Sequence, residues 1–169
     1  MIGMRVAAAA IGGAVMILAG SPAALAGTVA PNRAEPVKVT SARSVSHGFI
    51  GYDWQVVAIS HDGKVTRIPA RRWVDLQFSR GGQFAANDSV NFHSGTYRTT
   101  RDGFTTSALG STLVGYAGHD PAVLLAISAI GSFDNGAHAT VKLTGHRLVV
   151  RVHSYTLNCQ RHALLPGQS

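Results

Sequence analysis

The chain contains a single cysteine, Cys159, in 169 residues. No intramolecular disulfide can form even in an oxidising compartment, and no C-x-x-C pair is present to hold zinc. The thiol is therefore either buried or open to a second chain. Eight histidines are present, but none follows the H-x-x-x-H spacing of a metal-binding helix, so neither a metal nor a cofactor is expected. Carboxylates are scarce: apart from scattered aspartates, several of them in Asp-Gly turns, there is only Glu35. That leaves no pair suited to glycoside hydrolysis. No serine sits in a G-x-S-x-G elbow. Ser111 follows Gly110 and precedes His119-Asp120, yet a triad is a spatial arrangement that nearness in sequence does not establish. Asn87-Asp88-Ser89 matches a glycosylation acceptor, but three-residue matches are frequent by chance.

Long apolar runs are missing everywhere except at the N-terminus. Met1 to Ala26 opens with Arg5, runs through apolar and small residues, and ends in Ala24-Leu25-Ala26. This is the pattern of a secretory signal peptide cleaved between Ala26 and Gly27. The strongly apolar part is short of the roughly 20 residues that a span requires. No cysteine follows it and no Arg-Arg pair precedes it, so neither a lipid anchor nor twin-arginine export is expected. The expected product is secreted through the general route, to the medium or the cell envelope, with no membrane anchor after cleavage.

Negative charge is also in short supply, with 15 Lys and Arg against 8 Asp and Glu. The excess is dispersed. Its densest group is Arg67, Arg71, Arg72 and Arg80 with Trp73 among them, the candidate surface binding patch. Outside the cell, an anionic wall polymer or a protein partner is expected rather than nucleic acid.

The residues that are present divide the chain into a signal peptide over 1–26, a flexible leader over 27–47, a folded domain over 48–158 and a C-terminal tail over 159–169. The leader holds two prolines and no sustained period. Beyond it, His61-Asp62-Gly63-Lys64, Arg80-Gly81-Gly82-Gln83, Arg101-Asp102-Gly103-Phe104, Asp134-Asn135-Gly136 and Thr144-Gly145-His146 all have turn chemistry. The segments between them alternate: Val74, Leu76 and Phe78 against Asp75 and Gln77, and Leu148, Val150 and Val152 against Arg147, Arg151 and His153. Ala139, Val141 and Leu143 repeat the pattern, predicting a hairpin around Thr144-Gly145-His146. One segment breaks it. Asp120 to Gly131 has an acidic N-cap, a proline at the first helical position and a terminating glycine. Apolar on nearly every side, it predicts a helix that plugs or covers the sheet. The fold class is then α+β, mainly β: a small curved or barrel-like antiparallel sheet with one buried helix at about 120–130.

Several of these residues, in order, resemble the META domain, the HslJ-like group. Trp54-Gln55-Val56-Val57 opens the domain. Leu76-Gln77-Phe78, Gly82-Gln83-Phe84, Asn91, Gly95-x-Tyr97, Thr112 and Leu143-Thr144-Gly145-His146-Arg147-Leu148 follow. The similarity runs from about Tyr52 to Val152. Where the family commonly has Cys-Asn this chain has Val90-Asn91, and the second cysteine is replaced near Tyr116, so a disulfide or redox role is excluded. The resemblance implies export, some association with envelope stress or secretion, and no shared catalytic site. Within it, Asn87 to Tyr97 is a strand connection, with Asn91 closing the turn, Gly95 supplying an unusual conformation and Tyr97 packing inward.

The expected function is accordingly binding or envelope protection by a secreted protein that is not an enzyme. Two other readings have structural tests. A barrel-like carrier of a hydrophobic ligand fails if Trp54, Phe78, Phe84, Leu124 and Ile127 fill the interior. A secreted hydrolase gains if His93, His119 and an aspartate meet in one pocket.

Overall fold

The computed structural model describes residues 47–167. The chain forms β1 (Tyr52–His61), β2 (Lys64–Arg67), β3 (Val74–Phe78), β4 (Gln83–Asp88), β5 (Phe92–Thr99) and β6 (Gly103–Ser111). α1 (Pro121–Gly131), β7 (His138–Thr144), β8 (Arg147–Val152) and β9 (Tyr155–Leu164) complete it. Each strand pairs antiparallel with the next around the order β1-β3-β4-β5-β6-β7-β8-β9, and β9 returns to β1, so eight strands close into a barrel. β2 adds to the far half of β1 as a hairpin. The Asp-Gly turn at its tip has both central residues at positive φ, 48° for Asp62 and 76° for Gly63, the conformation that matches the twist of the flanking strands.

Antiparallel alternation puts two groups of connections at opposite ends. The β3–β4, β5–β6 and β7–β8 turns lie at one end. At the other are the β1–β2, β4–β5 and β8–β9 turns together with α1, which enters from β6 and leaves to β7. Side chains fill the interior. Phe49, Trp54, Phe78, Phe84 and Phe104 are essentially inaccessible, and the Phe78 ring lies 5.0 Å from Phe49, 5.5 Å from Phe84 and 4.8 Å from Phe104. Phe133, just beyond α1, extends the stack at 5.4 Å from Phe84. The Trp54 indole N–H donates to the Phe49 carbonyl at 2.7 Å, so its one polar atom is satisfied inside the core.

α1 begins as its sequence dictates. The Asp120 carboxylate accepts from the Ala122 N–H at 3.0 Å, and Pro121 needs no donor partner at the first position. Its end differs from the expectation. Gly131 is the last helical residue, and Ser132 caps the helix in right-handed geometry. The helix is also not buried all round. Ala122, Val123, Ala126, Ala129 and Ile130 face the barrel, whereas Leu124 is 46% exposed and Ile127 is half-buried. Small residues on the inner face let the helix lie close to the barrel, and this leaves its larger side chains outside.

A second correction concerns the C-terminus. Residues 159–164, expected as the start of a tail, are the second half of β9. Cys159 faces Val56 on one side and Leu148 on the other. Its thiol is 3% exposed, and burial pushes its pKa upward. Of the two fates open to it, the fold selects burial.

Candidate functional site

The stretch around the β4–β5 turn gathers polar groups at the helix end of the barrel. Asn87 Oδ1 accepts from the Ser89 N–H at 2.7 Å. Asp88 Oδ1 accepts from Val90 and Asn91 N–H groups at 2.8 and 2.6 Å. These bonds hold Ser89 at φ 78°, a strained value for a residue with a side chain. Asp88 is fully buried, and its other oxygen lies 2.9 Å from His93 Nε2. An ionised carboxylate only accepts, so the ring nitrogen donates.

Asn91 does something other than close its own turn, which is the work of Asn87 and Asp88. Its Oδ1 accepts from the Val114 N–H at 2.7 Å and from the Thr112 hydroxyl at 3.3 Å, while Nδ2 donates to the Val114 carbonyl at 3.3 Å. The Phe92 N–H donates to Thr112 Oγ1 at 3.0 Å, and the Thr112 N–H to the Phe92 carbonyl at 3.0 Å. Asn91 and Thr112 thus staple the segment that leads to α1 onto the start of β5. Gly95 also acts differently from the expectation. Its φ is not positive. It faces a bulge in β6, where Ser94 pairs with Gly110 and Thr96 with Ser107. A Cβ at Gly95 would sit 2.8 Å from the Ser107 carbonyl and 2.9 Å from that of Ala108, so close approach, not turn geometry, requires glycine there. Tyr97 packs inward as expected, donating from its hydroxyl to the Ser79 carbonyl at 2.7 Å. Burial raises its pKa to about 12.

Between β6 and α1 these elements border a cleft of about 390 Å³. Asp88, Asn91, His93 and Ser111 line its polar part, and Leu109, Leu113, Ile127 and Phe133 its apolar part. The Leu109 N–H, on the bulged stretch, is taken by the Asn135 side chain at 2.8 Å. Ser111 is the cross-strand neighbour of His93, but its hydroxyl donates to the Thr112 carbonyl at 2.8 Å. His119 is exposed and does not line the cleft. The pocket expected of a hydrolase is therefore only half assembled: His93 and Asp88 meet, and His119 stands apart. No group of three potential metal ligands occurs among the described residues.

The basic patch is dispersed in space. Arg67 lies on β2 and Arg71 on the loop before β3, both exposed. Arg72 spends its guanidinium on the helix cap, with Nε and Nη2 at 3.3 and 3.2 Å from Asp120 Oδ2. The Ala122 N–H and Arg72 together hold the Asp120 carboxyl below its usual range. Trp73 is 39% exposed and stacks edge-on against His162, with ring centroids 4.8 Å apart. Arg80 lies in the β3–β4 turn, at the other end of β3. Ala26 and Gly27, the expected cleavage site, lie outside the described residues.

One polar cluster was not anticipated. On the outer side of the β1–β3 pair, Asp53 is 8% and Asp75 2% exposed. Asp53 Oδ2 lies 3.4 Å from His162 Nδ1, its Oδ1 has no hydrogen-bond partner among the described residues, and the Gln77 amide donates to Asp75 at 2.8 Å. Burial, then the charge of Asp75, raises the pKa of Asp53 to about 6, opposed by His162. The missed signal was Asp75 itself, a carboxylate at an alternating position taken to face water. For the cleft, the signal was Asp88 and His93, which flank a short turn at the ends of facing strands.

A family model described as META domain matches residues 47–163. Among solved structures, an NMR structure of a protein from Burkholderia xenovorans is similar with a TM-score of 0.54 at 15% identity, covering 69% of this chain and 85% of that one. A second NMR structure gives a TM-score of 0.51 at 18% identity, covering 65% and 88%. At these identities the likeness concerns the fold alone. No curated protein matches the sequence.

Proposed function

From the premise that the chain belongs to the META domain family, we propose that it is an exported protein that works by binding, without catalysis, in the cell envelope or outside the cell. The signal-peptide pattern of residues 1–26 supports export. The observation that carries the binding reading is the way the cleft's polar groups are occupied. Asp88 accepts three hydrogen bonds, Asn91 makes three, and the Ser111 hydroxyl is turned to a backbone carbonyl. Groups held this way fix the shape of a concave surface, and no nucleophile is paired with a base. Protection against envelope stress is the process in which we place it, on the strength of the family.

A second reading has one specific observation in its favour. The barrel interior is packed with aromatic rings and so does not serve a carrier. The cleft outside it, about 390 Å³ with Leu109, Ile127 and Phe133 on its walls, has the size and lining of a small-ligand site. Thermal unfolding of the purified chain against fatty acids, short peptides, wall fragments and divalent metals tests both. A ligand at about 100 times its dissociation constant adds roughly 2.7 kcal/mol to stability. A shift with an apolar ligand, abolished by Ile127→Gln, supports the cleft as the site. A cooperative transition that none of the panel moves refutes small-ligand binding and leaves a macromolecular partner.

A further inference from the structure

We propose that the outer face of β7, β8 and β9 is the docking surface for an acidic polysaccharide. The inference rests on the reading of the chain as an exported binding protein, and it names a partner class that the cleft does not. The starting point is the sequence: no Asp or Glu follows Asp134, while Lys142, Arg147, Arg151 and Arg161 do. The fold sorts these cations. Arg161 turns over the Tyr52 and Trp54 rings, at 4.0 and 5.2 Å from their centroids. Lys142, Arg147 and Arg151 are exposed and point outward, because Val141, Leu148 and Val150 take the inward positions.

Register fixes how the three sit together. Lys142 pairs with Val149, so Arg147 and Arg151 are its two diagonal neighbours across the β7–β8 ladder. Diagonal positions lie about 7–8 Å apart, and Arg147 and Arg151, four residues apart along one strand, about 13 Å. None of the three is in an ion pair among the described residues. Asp102 and Asp134, at the border of this face, are engaged by His138 at 3.1 Å and His153 at 4.0 Å. The surface is therefore a triangle of cations with no carboxylate inside it.

What lies between the cations selects the polymer. Thr140, Thr144, Thr156, Asn158 and Gln160 occupy the outward positions beside them, a set of hydroxyl and amide groups that matches sugar hydroxyls as donors and acceptors. Two shallow depressions, of about 210 and 290 Å³, meet at Val149 between Lys142, Arg151 and Arg147, which gives the face relief along the line of charge. Thr140, Thr144, Val149, Thr156, Asn158 and Gln160, the outward positions beside the three cations, carry no aromatic ring on which a base could stack, as single-stranded nucleic acid binding needs. Val149 is the one apolar side chain among them, too little for insertion into a lipid interface.

The test is retention of the full exported chain on immobilised polygalacturonate, with neutral dextran, double-stranded DNA and phosphatidylglycerol vesicles as the other arms. The expected result is binding to polygalacturonate that weakens as salt rises, with none to dextran. Lys142→Gln/Arg147→Gln/Arg151→Gln should bind about tenfold more weakly or less with a shallower salt dependence, while Arg67→Gln/Arg71→Gln stays within about twofold. Unfolding midpoints of both variants, unchanged, establish that the fold is intact. The proposal is overturned if the chain fails to bind polygalacturonate at low salt, if the triple variant binds as well as the parent, or if DNA or vesicles are bound more tightly. Any thermal shift from a cleft ligand persists in the triple variant, so failure of the cleft and failure of this face are read separately.

Discussion

Replacing Asp53 by asparagine should stabilise the domain at neutral pH and leave it nearly unchanged in acid. Asp53 is held in a place where a charge is expensive: 8% exposed, with Asp75 beside it at 2%, and with one oxygen lacking a hydrogen-bond partner among the described residues. Its pKa is raised from 3.8 to about 6, by burial first and by the charge of Asp75 second. A carboxyl whose pKa is higher in the folded than in the unfolded state contributes stability that is fully present below about pH 4. That contribution is lost as pH climbs through about 6. A pKa unit corresponds to about 1.36 kcal/mol, so a shift of this size sets a ceiling of about 3 kcal/mol on the cost at neutral pH. The contact with His162 at 3.4 Å is already contained in that net shift, and partial solvent screening of the charge brings the expected gain in Asp53→Asn to about 1–2 kcal/mol. Urea unfolding followed by tryptophan fluorescence at about pH 4, 5.5 and 7.5 measures it. The difference between variant and parent should grow with pH in favour of the variant. A variant destabilised by the same amount at every pH would refute the reasoning, because the carboxylate would then act as a structural hydrogen-bonding group and not as a buried charge.

Gly95→Ala should cost about 1–3 kcal/mol, since the new Cβ meets backbone carbonyls at 2.8 and 2.9 Å that cannot move without the β6 bulge; a chemical denaturation midpoint equal to the parent's would contradict the account. Asn91→Ala removes the bonds to Val114 and should cost about 1–3 kcal/mol, with faster amide exchange at Val114 as the local sign. Cys159 should resist a thiol reagent such as dithionitrobenzoate in the native state and react on unfolding, because it is 3% exposed in the core. Rapid native labelling would mean that β9 detaches from β1.

The barrel was legible wherever the sequence carried both a period and a turn. The hairpin around Thr144-Gly145-His146 could be read because Val141, Leu148 and Val150 alternate with charged neighbours, and all of them lie where alternation puts them. α1 was legible from Asp120-Pro121. The misreadings share a cause, which is that composition reports how apolar a segment is but not how far it stands from its neighbour. Ala122, Ala126 and Ala129 bring α1 against the barrel and turn Leu124 outward. Gly95 answers to carbonyls of a strand whose bulge no local pattern announces. β9 escaped in part because Asn158, Gln160 and Arg161 dilute its apolar positions, although Leu157 and Cys159 are buried and Tyr155 packs against the core. The cleft offered the sequence only the Asp88 and His93 signal, since Ile127 and Phe133 on its other wall come from around α1 and meet the β4–β5 turn only through the fold.

The seam between β1 and β9 also has a kinetic meaning. Tyr52 pairs with Leu164 and His61 with Tyr155, so the first and last strands of the domain are partners across nearly its whole length. The loop that must close before this pairing forms is about as long as the domain, and topology of that kind slows folding. Until β9 has emerged, β1 presents an open edge with Trp54, Val56 and Ile59 uncovered, a template for pairing with another copy. A chain ending at Ser154, ahead of β9, should therefore aggregate instead of folding to a looser barrel, because it lacks the strand that closes the barrel on β1.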